Sequence, residues 1–225
     1  MAQIRSKPFG VTKEGANVTE YILSNPGGLT VSVLDYGCVI KSIIVPAKNG
    51  PVDVVVGHDT MADYEADFNS SGSTCCGAFV GRYANRIENA VFTVGGKTYQ
   101  LEANNGPNNL HSGPDLYHDR VWDCAASETE AGSRLDFYLE SPDGDQGYPG
   151  NARITVSYTL TDEDSLVLDY HMVCDKDTVA NFTNHSYFNL AGHDSGDVMK
   201  QEVWLNASRY TPADEVSIPT GEIAP

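Results

Sequence analysis

Strict alternation is the feature that most limits how this chain can fold. Ile154, Val156, Tyr158 and Leu160 are separated by Thr155, Ser157 and Thr159, the period of a strand with one buried and one wet face. After the acidic turn Asp162–Asp164, Leu166, Leu168, Tyr170 and Met172 alternate again, so a long antiparallel hairpin is expected. A tighter hairpin is written as Val91–Val94, Gly95-Gly96 and Lys97–Leu101, with the two glycines supplying the positive φ angles of a two-residue turn. Further strands are expected at Leu29–Leu34, Ile40–Val45, Val52–Val56, Leu135–Glu140 and Glu202–Leu205. Only Thr60–Phe68 reads as a helix, opened by a threonine cap. Many short strands cut by Gly and Pro predict a mainly β chain, a sandwich or barrel in one domain.

Charge narrows the partners. There are 14 Lys and Arg against 31 Asp and Glu, a net charge of −17, which argues against nucleic acid and anionic membrane, since binding phosphates requires cations. No apolar run approaches a membrane span, and MAQIRSKPFG lacks the apolar core of a secretory signal. Five cysteines (Cys38, Cys75, Cys76, Cys124 and Cys174) without CxxC spacing are expected to be reduced and mostly buried, and the cytoplasm is the expected compartment.

Three loop-like segments hold the chemistry. Gly81-Arg82-Tyr83-Ala84-Asn85-Arg86-Ile87 sets two guanidiniums and an amide close together, fit for sugar hydroxyls or a carboxylate; the plainer alternative is pairing of both arginines with some of the many acids. Asn104–Gly113 is a turn-rich run of asparagines ending near His111, which is either a proton-transfer group or an exposed loop histidine. Asn181–Gly192 combines amides, His185, Tyr187 and two phenylalanines, a mixture suited to a sugar or to an aromatic strand with a polar face. Asp143-Gly144-Asp145 opens like a calcium loop, but Tyr148 stands where glycine is needed. His111 and His118 are too loosely spaced to define a metal site.

Taken in order, GRYANRI, NNGPNNLHSG, SPDGDQGYPGN, NFTNHSYFNLAG and RYTPADEVSIPTGEIAP resemble the signature loops of the aldose 1-epimerase (galactose mutarotase) family. The weaker match Asp35-Tyr36-Gly37 extends the resemblance over essentially the whole chain. It implies a large antiparallel two-sheet sandwich (a supersandwich), no cofactor, no metal, and a free aldohexose such as galactose or glucose as substrate. The implied reaction interconverts α and β anomers: a base takes the O1 proton, an acid protonates ring oxygen O5, and the open aldehyde turns and recloses. On the matching motifs, His185 resembles the general acid and His111 the second catalytic histidine. Asn85 and Arg86 resemble the substrate-binding pair, Ser186 and Tyr187 flank the acid, and Arg82 resembles a further contact.

In the family the base is a glutamate beyond the PTGEI motif, with a substrate-binding aspartate before it. This chain stops at Pro225, just after that motif. The resemblance therefore leads us to expect a truncated sandwich lacking its final strands, impaired catalysis, and self-association through exposed sheet edges. The alternatives are a non-catalytic carbohydrate-binding module of the same fold, or a phosphosugar epimerase, against which the negative charge argues.

Overall fold

The computed structural model describes residues 3–70 and 72–225, so Met1 and Ala2 of the N-terminal stretch lie outside it. Its strands are β1 (Gln3–Val11), β2 (Asn17–Ser24), β3 (Thr30–Leu34), β4 (Ile40–Val45), β5 (Val52–Asp53), β6 (Phe79–Val80), β7 (Arg86–Ile87), β8 (Val91–Val94), β9 (Lys97–Gln100), β10 (Asn109–Leu110), β11 (Asp123–Thr129), β12 (Gly132–Ser141), β13 (Ala152–Thr161), β14 (Leu166–Cys174) and β15 (Thr183–Asn184). One helix, α1 (Met61–Phe68), lies between β5 and β6.

The expected long hairpin is β13–β14, in register from Ala152 opposite Cys174 to Leu160 opposite Leu166. It continues a four-stranded antiparallel sheet ordered β11-β12-β13-β14. The first five strands form a second antiparallel sheet in chain order, with bulges between Pro8 and Gly10 and between Ser32 and Val33. The two sheets pack face to face: Leu23, Val31 and Val33 from one share a buried core with Leu135, Phe137, Ile154, Val156, Tyr158 and Leu160 from the other. Truncating a buried leucine or isoleucine of this layer to alanine costs about 2–5 kcal/mol, so this core holds the frame rigid.

The helix starts where the cap is written. Thr60 is extended, and its hydroxyl accepts from Asp63 N at 3.2 Å. Its buried face, Met61, Tyr64 and Phe68, packs on Val18, Leu34, Tyr36 and Val39. Gly37 shows why a glycine follows Tyr36: its φ is +62°, and a Cβ there would lie 2.4 Å from the His118 carbonyl oxygen.

Two expectations are corrected. Glu202–Leu205 is not a strand; Val203, Trp204 and Leu205 are exposed at 83%, 82% and 75%. Their apolar side chains run consecutively, and no described strand pairs with that backbone. Conversely, β1 and β11 are not legible in the sequence, because QIRSKPFGV and DCAASET lack a clear apolar face. All five cysteines are free, with Cys38, Cys75 and Cys76 buried.

Candidate active site

Short ladders at one end of the sandwich bring the three polar loops together. β6 pairs with β15, which sets the His185 loop beside residues 79–80. β7 pairs with β10, which sets the His111 loop beside Arg86 and Ile87. Gly81 permits the close approach, since a Cβ there would lie 2.7 Å from the Phe182 ring. Between the loops is an open cavity of about 520 Å³ lined by Ala84, Asn85, His111 and residues 181–187.

The asparagines of the second loop replace missing backbone partners. Asn104 bonds both the N–H and the carbonyl of Leu110, and Asn109 donates to the carbonyls of Glu102 and Gly113. So held, His111 sits at φ 57° and exchanges two hydrogen bonds with Asn85. His111 N donates to Asn85 O at 3.0 Å, and Asn85 N donates to His111 Nδ1 at 2.9 Å. A backbone N–H can only donate, so Nδ1 of the neutral ring is the acceptor and the proton sits on Nε2. Burial, reinforced by His185 and the Arg86 guanidinium, lowers this imidazole to about 4. His111 is a neutral, fixed donor.

His185 is set by its backbone. Its N–H donates to Ala78 O at 2.8 Å, and its carbonyl accepts from Gly77 N at 3.3 Å. Asn184 braces the turn, accepting from Ser186 N at 3.0 Å and donating to Gly77 O at 2.8 Å. The His185 ring meets His111 edge to face, with centroids 5.5 Å apart and planes at 84°, and lies 5.3 Å from the Tyr187 ring. Ser186 Oγ is buried without a partner among the described residues.

Asn85, His111, His185, Ser186 and Tyr187 thus share one cavity. Arg86 stands just behind, donating to Asn85 Oδ1 at 3.1 Å and Asn105 Oδ1 at 2.9 Å, so it orients the Asn85 amide. Arg82 is not brought to the cavity. It is completely buried, and its guanidinium faces the 141–150 loop instead. Neither arginine pairs with a carboxylate among the described residues.

Asn181, Phe182, Thr183 and Asn184 also line the cavity. The dense NFTNHSYF run is the sequence signal that marks them. His118 is a third imidazole behind the pair; its Nε2 is 3.8 Å from Cys75 Sγ, and burial lowers it to about 3. No group of three metal-ligating side chains occurs among the described residues.

The aldose 1-epimerase family model matches residues 19–225. Galactose mutarotase of Sus scrofa is 38% identical over 226 residues, and that of Bos taurus 39% over 225, each alignment covering 100% of this chain and 63% of the relative. Among solved structures, galactose 1-epimerase from Lactobacillus acidophilus superposes with a TM-score of 0.83 at 28% identity, covering 100% of this chain and 63% of that one. An aldose epimerase homologue from C. elegans gives 0.78 at 31% identity, covering 98% and 61%.

The fold belongs to one class, the mainly β galactose mutarotase-like sandwiches. Within that class, this chain is a member of the aldose 1-epimerase family. It spans 63% of the length of the curated mutarotases it matches.

Proposed function

We propose that this chain carries the sugar-binding and acid side of an aldose 1-epimerase site, acting on a free aldohexose such as galactose or glucose. The observation that carries the reading is the perpendicular pair of imidazoles, 5.5 Å apart, on the wall of a cavity rimmed by amides. His111 donates from Nε2 to a sugar oxygen and polarises it. His185, whose ring has no hydrogen-bond partner among the described residues, delivers a proton to O5 as the C1–O5 bond breaks. A base takes the proton from O1 as the aldehyde forms; rotation about C1–C2 and reversal of the steps give the other anomer. Positioned acid–base groups supply about 10²–10⁴-fold in such a step. Asn85, oriented by Arg86, bonds hydroxyls, while Ser186 and Tyr187 complete the wall.

No carboxylate lines the cavity among the described residues. That favours a second reading, in which the chain binds aldohexose without turning it over. Polarimetry of fresh α-D-galactose, beside calorimetric titration of the same sugar, separates the two. Catalysed decay supports the epimerase reading; binding without decay supports the module; absence of both decay and binding sinks both readings.

Residues 1–225 are read as one mutarotase-like sandwich unit. Among the described residues no helix is long and apolar enough to cross a membrane, and the five free thiols support a reducing compartment such as the cytoplasm. Self-association is expected through β14, which among the described residues pairs only with β13 and exposes Val167 and Val173. Light scattering that gives a monodisperse monomer would refute it.

A further inference from the structure

The loop SPDGDQGYPGN contributes no side chain to the cavity, yet it receives Arg82, a large side chain that is fully buried. The guanidinium has five acceptors. Nε donates to Tyr117 Oη at 3.3 Å, Nη1 to Pro149 O at 2.9 Å and Gly150 O at 3.4 Å, and Nη2 to Ser141 O at 3.4 Å and to Ser141 Oγ. The Tyr148 ring lies 5.5 Å from Cζ. Negative charge reaches it only at second hand: Ser141 Oγ donates to Asp145 at 2.7 Å, and Asp145 is paired with Arg120.

Burying a cation without its own carboxylate is a poor route to stability, because apolar side chains of similar volume do as well or better. What a guanidinium adds is a rigid fork that fixes several carbonyls at once. The segment following that fork is the junction of the site. Arg82 O accepts from Asn181 N at 2.9 Å, Ala84 N donates to Asn181 O at 2.7 Å, Tyr83 N donates to Ser112 Oγ at 2.8 Å, and Asn85 N reaches His111 Nδ1 at 2.9 Å. Ser112 Oγ also donates to Tyr148 Oη at 3.0 Å, tying the His111 loop to the loop that holds the guanidinium.

We infer that Arg82 is a positioning residue: anchored in the 141–150 loop, it fixes the 82–85 segment that holds both histidine loops, and thereby the His111 tautomer and the spacing of the two imidazoles. The consequence for sugar binding rests on the aldose reading above; the consequence for the tautomer does not.

The test uses the 225-residue chain labelled with 15N and two variants, Arg82→Lys, which keeps the charge without the fork, and Ser141→Ala, which removes one acceptor. Imidazole 15N shifts of His111 read the tautomer, and titration with galactose reads affinity, both in samples shown to be folded by thermal melt. In the unaltered chain His111 is expected as the single Nε2–H tautomer. Arg82→Lys is expected to mix the two tautomers and weaken galactose binding about tenfold, the scale of a sub-ångström misplacement. Ser141→Ala should shift both in the same direction, by about threefold in affinity, and decides the matter if Arg82→Lys does not fold. Folded variants with an unchanged His111 tautomer would overturn the inference. If galactose does not bind the unaltered chain, the aldose reading fails, while the tautomer comparison still judges Arg82.

Discussion

The two histidine loops meet at one cavity but are built differently. The loop carrying His111 is clamped by side chains: Asn104 and Asn109 close it, and the ring itself is tied to Asn85 through Nδ1. The loop carrying His185 is clamped through its backbone to residues 77–78, and its ring makes no hydrogen bond among the described residues. The first arrangement yields a donor that cannot change roles; the second leaves an imidazole free to give and recover a proton. On the proposed reading, two chemically identical side chains take on different work because of what holds them.

The contrast is most sharply broken at the free ring. His185→Asn should lower any catalysed mutarotation by about 10²–10⁴-fold while galactose affinity stays within about threefold, measured by polarimetry and calorimetry. Loss of binding of the same size would mean that His185 holds the sugar and does not transfer a proton. His111→Asn offers an oxygen near the Nδ1 position for Asn85 N but has no Nε2 donor. Galactose affinity should fall about tenfold, the value of one good hydrogen bond, with the melting temperature little changed.

Acidification should register on the tied ring. His111 and His118 are lowered to about 4 and about 3, so the folded protein holds both neutral. Below the unfolded value near 6.5 the unfolded chain takes up protons first. Stability is therefore complete above about pH 6.5 and is lost as pH falls toward 4, by roughly 3 kcal/mol for His111 alone. Calorimetric melts across that range should show the decline, and His118→Leu should flatten it. The smallest effect is conformational. Asn85 sits at φ 64°, so Asn85→Gly should preserve the His111 tautomer, whereas Asn85→Val should cost about 1–2 kcal/mol in a denaturant titration.

How much of this was legible depended on whether one strand, or a meeting of several, carried the signal. The β13–β14 hairpin and the capped helix are local events, written in alternation and in Thr60. β1 was not legible because Lys7, Pro8 and Gly10 dominate it, and its place is set by pairing with β2. The apolar run Val203–Leu205 looked like a strand, but apolar residues form one only where a neighbour supplies hydrogen bonds. In the site, the motifs pointed to His111, His185 and Asn85, all in loops of unusual composition, and the fold brings the three to one cavity. Composition alone treats Arg82 and Arg86 alike, and the resemblance set Arg86 in the binding pair with Arg82 as a further contact; the fold encloses Arg82 in carbonyls and puts Arg86 behind the cavity. His118 carried no local signal, since its burial follows from Phe68 and Cys75, which are distant in the chain.

The contact between Asn85 N and His111 Nδ1 makes the site self-reporting. Asn85 is exposed, and an exposed amide ordinarily trades its hydrogen with solvent quickly. Here that hydrogen is held by an imidazole nitrogen, and it is released when the nitrogen takes a proton of its own. Exchange of a single main-chain amide into heavy water should therefore track the charge of a side chain in another loop, without a label on the sugar or on the ring.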